Sequence, residues 1–183
     1  MRRVLFITNV VVLIAIALAA AARPAAAEDI SGTILVTKVI FEDSRLTGDV
    51  TCAVVGAPCI SFGAPHLTLK LNGFTMTGLA NLQTPCPPQT PPGLGETGID
   101  VTNQSDETIL GPGVVQGFRQ FGIRLRGATD SVVRQVTASS NCWSGFFVTS
   151  FGPPSPTTIS HDNVVEEIVS VRNGHPVFSC GGI

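Results

Sequence analysis

The sequence predicts an all-β fold in which short parallel strands wind into a β-helix, a stack of rungs. Three observations point there. The chain has 19 glycines and no tyrosine, and valine, isoleucine and threonine dominate beyond residue 28, a composition that favours strands over helices. One motif recurs: Gly98-Ile99-Asp100-Val101, Gly122-Ile123-Arg124-Leu125 and Gly145-Phe146-Phe147-Val148 begin 24 and 23 residues apart. Between these starts the apolar runs last only three to five residues and are broken by glycine, asparagine or serine. Such strands cannot bury their own side chains and must be covered by neighbouring rungs about 4.8 Å away.

In chain order, Arg2 and Arg3 precede an apolar run over residues 10–22, and Ala25-Ala26-Ala27 precede Glu28 and Asp29. That is the layout of a cleavable signal peptide over residues 1–27. An uncleaved anchor is the alternative, but Thr8 and Asn9 interrupt the run and its last third is alanine. No later segment is apolar for long enough to span a bilayer, so no stable membrane span is expected after cleavage.

Residues 28–58 read as an N-terminal cap with lead-in strands, and residues 59–183 as the rungs. The first traced rung runs Cys59-Ile60-Ser61-Phe62, His66-Leu67-Thr68-Leu69, then Gly73-Phe74-Thr75-Met76. In later rungs the second strand matches Thr108-Ile109-Leu110 with Ser131-Val132-Val133 and Asn163-Val164-Val165. The third matches Val114-Val115 with Gln135-Val136-Thr137 and Ile168-Val169-Ser170-Val171. About four rungs are traceable. Ile60, Ile99, Ile123 and Phe146 are expected to form one core column, and Leu67, Ile109, Val132 and Val164 a second. A hairpin-built β-sandwich is the competing architecture, but it does not need a rung-length repeat with the same glycine start. Proline-rich insertions near residues 79–97 and 150–162 cannot join a strand ladder, so they should loop out on either flank of the first-strand sheet and frame a shallow groove. The chain stops at Gly181-Gly182-Ile183, where the next rung is due. An open apolar end is an aggregation hazard, so the stack is expected to continue in a longer protein.

The formal charge of −2 becomes more negative once the leader goes, because residues 1–27 hold three arginines and no acid. Nucleic acid is therefore not an expected partner. Five cysteines, Cys52, Cys59, Cys86, Cys142 and Cys180, contain no C-x-x-C pair and suit an oxidising compartment: the cell surface, the periplasm or the exterior. Cys52 with Cys59 and Cys142 with Cys180 are candidate disulfides, and Cys86 is left unpaired or pairs with Cys142 instead. His66, His161 and His175 fall on separate turns without metal-ligand spacing, so no metal site is assigned.

The run Leu67-Thr68-Leu69-Lys70-Leu71-Asn72-Gly73-Phe74-Thr75-Met76-Thr77-Gly78, together with the Gly-Ile-x-Val starts, resembles right-handed parallel β-helix (PbH1) repeat proteins of the pectin-lyase-like superfamily, over residues 48–183. The resemblance implies the right-handed coil. It implies little about activity, since that superfamily spans lyases, hydrolases, epimerases and proteins with no assigned reaction.

Alternation along the first strands sends Asp100, Arg124 and Phe147 outward in one column and Thr102, Arg126 and Thr149 in the next. In lyases of the superfamily that outer face carries acidic calcium ligands and a proton-abstracting base, so Asp100, Arg124 and Arg126 are the catalytic candidates by resemblance. By the residues alone, Asp100 and Arg124 read as a cross-strand surface pair worth about 0.2–1 kcal/mol. One acid cannot supply the six to eight oxygens calcium takes, so Ca2+ enters only if further acidic ligands lie downstream. A glycosidase needs two facing carboxyls, and Asp100 has no second acid in its column. Trp143 and Phe147 read either as a stacking platform for a sugar ring or as packing. The expected function is polysaccharide binding along the first-strand face, with Asp100, Arg124, Arg126, Trp143 and Phe147 as contacts. The alternatives are a lyase or hydrolase completed by C-terminal rungs, and a structural or adhesion stalk.

Overall fold

The computed structural model describes residues 27–80, 95–150 and 159–174. The expected signal peptide, the bulk of both insertions and the groove between them, and Cys86, Cys180 and His175 lie outside these residues.

Within them the chain forms strands and no helix. The strands are β1 (Glu28–Ile34), β2 (Lys38–Ile40), β3 (Ser44–Cys52), β4 (Ile60–Phe62), β5 (Thr68–Lys70), β6 (Thr75–Thr77), β7 (Ile99–Thr102), β8 (Thr108–Gln116), β9 (Phe121–Arg126), β10 (Val132–Ser139), β11 (Ser144–Thr149), β12 (Val164–Glu166) and β13 (Val169–Val171). They build two sheets. The larger follows the order β1-β3-β5-β8-β10-β12, with β6 beside β3 and β8, and β13 beside β10; the smaller is β2-β4-β7-β9-β11. Every ladder between them is parallel, which the antiparallel hairpins of a sandwich would not produce. The chain alternates between the sheets, each strand of the small sheet leading to one or two of the large sheet. We call one such circuit a pass.

Strand patterning explains the layout. Along β3, Ser44, Leu46, Val50 and Cys52 are buried while Arg45, Thr47, Asp49 and Thr51 are exposed, the alternation of a sheet with one face on a core. Ile60, Ile99, Ile123 and Phe146 do align as a buried column. The second expected column holds only at Ile109: Leu67 is buried but two residues before the register position, and Val132 and Val164 are one residue before it. Leu69, Ile109, Val133 and Val165 are in register, whereas Val132 pairs with Thr108 and Val164 with Val132 in the row that faces outward, Val164 being 45% exposed. A strand's side-chain period is two, so a one-residue offset exchanges the core face for the solvent face.

Two further differences concern the plan of a pass. The expected second and third strands lie in one sheet, and β8 and β10 run continuously through the bend between them; at that bend Asn72, Gln135 and Glu167 hold left-handed conformations on different passes. The lead-in segment 28–58 also carries β2 and β3, which pair with β4, β5 and β6 as the later passes pair with one another.

The repeated glycine has a steric cause. A Cβ on Gly98 would lie 2.6 Å from the Gly122 carbonyl oxygen, and one on Gly122 would lie 2.7 Å from the Gly145 carbonyl oxygen and 2.8 Å from Asn141 Nδ2. The three glycines thus let consecutive passes approach backbone to backbone. Gly122→Ala is expected to lower stability by about 1–3 kcal/mol through overpacking, read as a fall in the urea midpoint; an unchanged midpoint would mean that the neighbouring strand yields freely.

Side chains stitch the turns between sheets. Asn141 Oδ1 accepts from Phe118 N (3.0 Å), its Nδ2 donates to Val115 O (3.2 Å), and Asn173 Oδ1 accepts from Asn141 N (2.9 Å). At another turn Glu107 Oε2 accepts from Leu67 N (3.1 Å), Ser131 Oγ from Glu107 N (3.3 Å) and Asn163 Oδ1 from Ser131 N (3.1 Å). These bonds satisfy backbone groups that the strand ladders leave open. The Asn141 stitch also fixes the turn carrying Cys142 and Trp143.

Candidate functional site

The outer face of the small sheet carries the column Val39, Ser61, Asp100, Arg124 and Phe147, each residue in register with the next. Arg124 Nε donates to Asp100 Oδ1 at 2.6 Å, and Thr102 Oγ1 donates to Asp100 Oδ2 at 2.9 Å. This is not the surface pair the spacing suggested. The Arg124 and Asp100 side chains are only 8% and 6% exposed, so both charges are largely withdrawn from water and depend on each other. Thr102, Arg126 and Thr149 form the parallel column, with Arg126 half-buried.

Phe147 follows Arg124 in its column and stacks on Phe121, with ring centroids 4.3 Å apart and planes 4° from parallel. Trp143 meets Phe121 edge-on at 6.2 Å and 77°. Phe121 is buried but is not part of the apolar core, so the three rings form a separate cluster. The structure therefore brings Trp143 and Phe147 together through a residue that the sequence reading passed over.

A polar corner adjoins the rings. Trp143 N donates to Gln120 O (2.9 Å) and Gln120 N to Glu96 O (3.1 Å), so Glu96, Gln120 and Trp143 occupy one position on consecutive passes. Arg119 clasps the Glu96 carboxylate through Nε and Nη2, while Gly56 N donates to Glu96 Oε1 at 3.1 Å. Gly56 lies in the short loop closed by the Cys52–Cys59 disulfide, whose Cα atoms are 5.8 Å apart. Thr97 Oγ1, Gln120 Oε1 and Trp143 Nε1 are buried without hydrogen-bond partners. A glycine at 95 makes room for the glutamine, since a Cβ there would fall 1.4 Å from Gln120 Cδ.

Compared with family models, with curated proteins and with solved structures, the chain matches none.

Glu96, Arg119, Gln120 and Phe121 were missed in the sequence, although a signal for them exists. Glu96, Gln120 and Trp143 each stand two residues before a repeat glycine, at Gly98, Gly122 and Gly145. Reading the repeat backwards from the glycine would have aligned them. Glu96 and Thr97 instead fell inside the expected insertion at 79–97, although the chain is already packed into the fold from Gly95 onward.

Elsewhere, His66 Nδ1 lies 3.3 Å from Asp106 and His161 Nδ1 lies 2.9 Å from Asp162, on separate turns. Among the described residues no three His, Cys, Asp or Glu side chains gather as a metal site, and no helix is long and apolar enough to cross a membrane. Cys142 is disulfide-bonded, and both sequence candidates for its partner, Cys86 and Cys180, lie outside the described residues. Disulfide bonding fits an oxidising environment. Glu107 is the one described carboxyl pushed well above the ordinary range, to about 7: burial is the main cause, nearby Asp106 and Asp43 add to it, and the Leu67 N–H opposes it.

Proposed function

We propose that the protein is an exported right-handed parallel β-helix of the pectin-lyase-like kind that binds a polysaccharide along the outer face of its small sheet without cleaving it. The observation that carries this reading is the Phe121, Phe147 and Trp143 cluster, three rings held outside the core beside buried polar atoms that lack partners. Aromatic faces pack against the C–H faces of sugar rings, and Trp143 and Phe147 are both half-exposed on this side of the sheet.

Binding is favoured over cleavage by the state of the charges. A glycosidase needs one carboxyl to give a proton and a second to act across the bond. On this face Asp100 is held by Arg124 and Glu96 by Arg119, so neither acid stands free and neither arginine is an available base. The two parallel sheets and the glycine contacts between passes support the β-helix reading. The leader and the disulfides support export.

Affinity electrophoresis of the secreted protein through gels containing plant, algal and bacterial polysaccharides tests the proposal, with polymer length followed by viscometry. Retardation by at least one polymer at unchanged viscosity is expected. A fall in viscosity would make it an enzyme, and free migration through every gel would remove the reading.

A further inference from the structure

The turn that follows β7 carries the chain's one Asn-x-Ser/Thr sequence with x other than proline, Asn103-Gln104-Ser105. In an exported protein such a triplet is an acceptor for an N-linked saccharide, provided that the folded chain leaves the asparagine on its surface. Asn103 is exposed and Ser105 half-buried in the turn between β7 and β8.

The fold asks nothing of the Asn103 side chain. Asn103 N donates to Arg126 O (2.9 Å) and Gly127 N to Thr149 O (2.9 Å), so the two residues hold the same place on consecutive passes. Both are left-handed, with φ of 53° and 62°. Gly127 makes that turn with no side chain, and asparagine is among the few other residues that enter the left-handed region readily. Every other asparagine among the described residues is put to use: Asn72, Asn141, Asn163 and Asn173 each donate through Nδ2 to a backbone carbonyl. Among the described residues no hydrogen bond engages the Asn103 amide. The one asparagine that the fold leaves idle is thus the one that stands in an acceptor triplet.

Resting on the export reading above, we infer that Asn103 is an N-glycosylation site. The reaction joins Asn103 Nδ2 to the anomeric carbon of a saccharide carried on a lipid pyrophosphate. The bond from that carbon to the pyrophosphate oxygen breaks, the lipid pyrophosphate leaves with the bonding electrons, and the displaced amide proton passes to solvent; nothing is oxidised or reduced. The attached saccharide displaces no hydrogen bond of the fold. It also leaves the ring cluster open, because Asn103 follows the end of β7, whereas Phe121 and Trp143 stand at or just before the starts of β9 and β11.

Mass spectrometry of the protein secreted by its own host tests this. The peptide that carries Asn103 is expected to be heavier than its sequence by one or more sugar residues and to release sugar fragment ions. Ser105→Ala should abolish the added mass and Ser105→Thr should keep it, since the triplet accepts either hydroxyl. Asn103→Gly should abolish it too and still fold, because glycine makes the same left-handed turn at Gly127; a urea midpoint matching that of the Ser105→Ala protein separates a lost acceptor from lost folding. The same spectra report the N-terminus and so the fate of the leader. A chain that begins at Glu28 with Asn103 unmodified would overturn the glycosylation and leave export standing. An intact leader with Asn103 unmodified would overturn both. Added mass that persists in Ser105→Ala would put the modification outside the triplet and overturn the inference as well.

Discussion

Asp100→Ala is expected to destabilise the protein by about 3–5 kcal/mol, the scale of leaving one partner of a buried ion pair uncompensated. Arg124 is held in the column between Asp100 and Phe147 with its side chain 8% exposed. Without the carboxylate, the guanidinium must stay in a poorly solvated site or swing out and disturb the ring stack above it. Thr102 would lose its acceptor as well. The double substitution Asp100→Asn with Arg124→Met removes both charges and should restore most of the loss, because replacing a buried pair by neutral groups of similar size is far cheaper than breaking it. Urea unfolding of Asp100→Asn, Arg124→Met and the double measures the coupling. Additive losses would show that the two charges do not depend on each other.

Glu107→Gln should stabilise the protein at alkaline pH by on the order of 2–3 kcal/mol and change little in acid. The sign follows from the direction of the shift. Glu107 is 1% exposed, and the pKa of its carboxyl in the fold is pushed up to about 7 from an ordinary 4.5. A group with a raised pKa in the fold favours folding most fully below its unfolded value, and that contribution is lost as pH rises through the folded one. Wild-type stability should therefore decline between about pH 4.5 and pH 7 and then level off, as far as this group controls it. The amide still accepts the Leu67 N–H that Glu107 Oε2 accepts at 3.1 Å, but it has no proton to lose. Chemical unfolding at pH 4, 6 and 8 makes the comparison. Parallel curves for the two proteins would show that Glu107 does not titrate in this range.

Much of the fold was legible because its strongest signal is local. The Gly98, Gly122 and Gly145 starts mark the places where passes touch backbone to backbone, so the repeat was readable before its steric cause was known. Ile99, Ile123 and Phe146 followed directly, since each stands one residue after a repeat glycine, and Ile60 takes the same place after Cys59. The second column failed because no glycine marks its strands and Val132-Val133 and Val164-Val165 are adjacent apolar pairs, of which pairing alone decides the core-facing member. Residues 28–58 read as a cap with lead-in strands, and only the structure shows that β2 and β3 there pair with the strands that follow.

The candidate site divides in the same way. Strand alternation put Asp100, Arg124 and Phe147 in one column, and ring chemistry singled out Trp143. Sequence determined which residues share a face, because the period of two and the repeat length are properties of the chain itself. Only the tertiary structure decided that Asp100 and Arg124 are buried, that Phe121 joins Trp143 to Phe147, and that Thr97, Gln120 and Trp143 hold polar atoms without partners. Burial and hydrogen-bond satisfaction depend on what the neighbouring passes place against a residue, and no spacing along one strand records that.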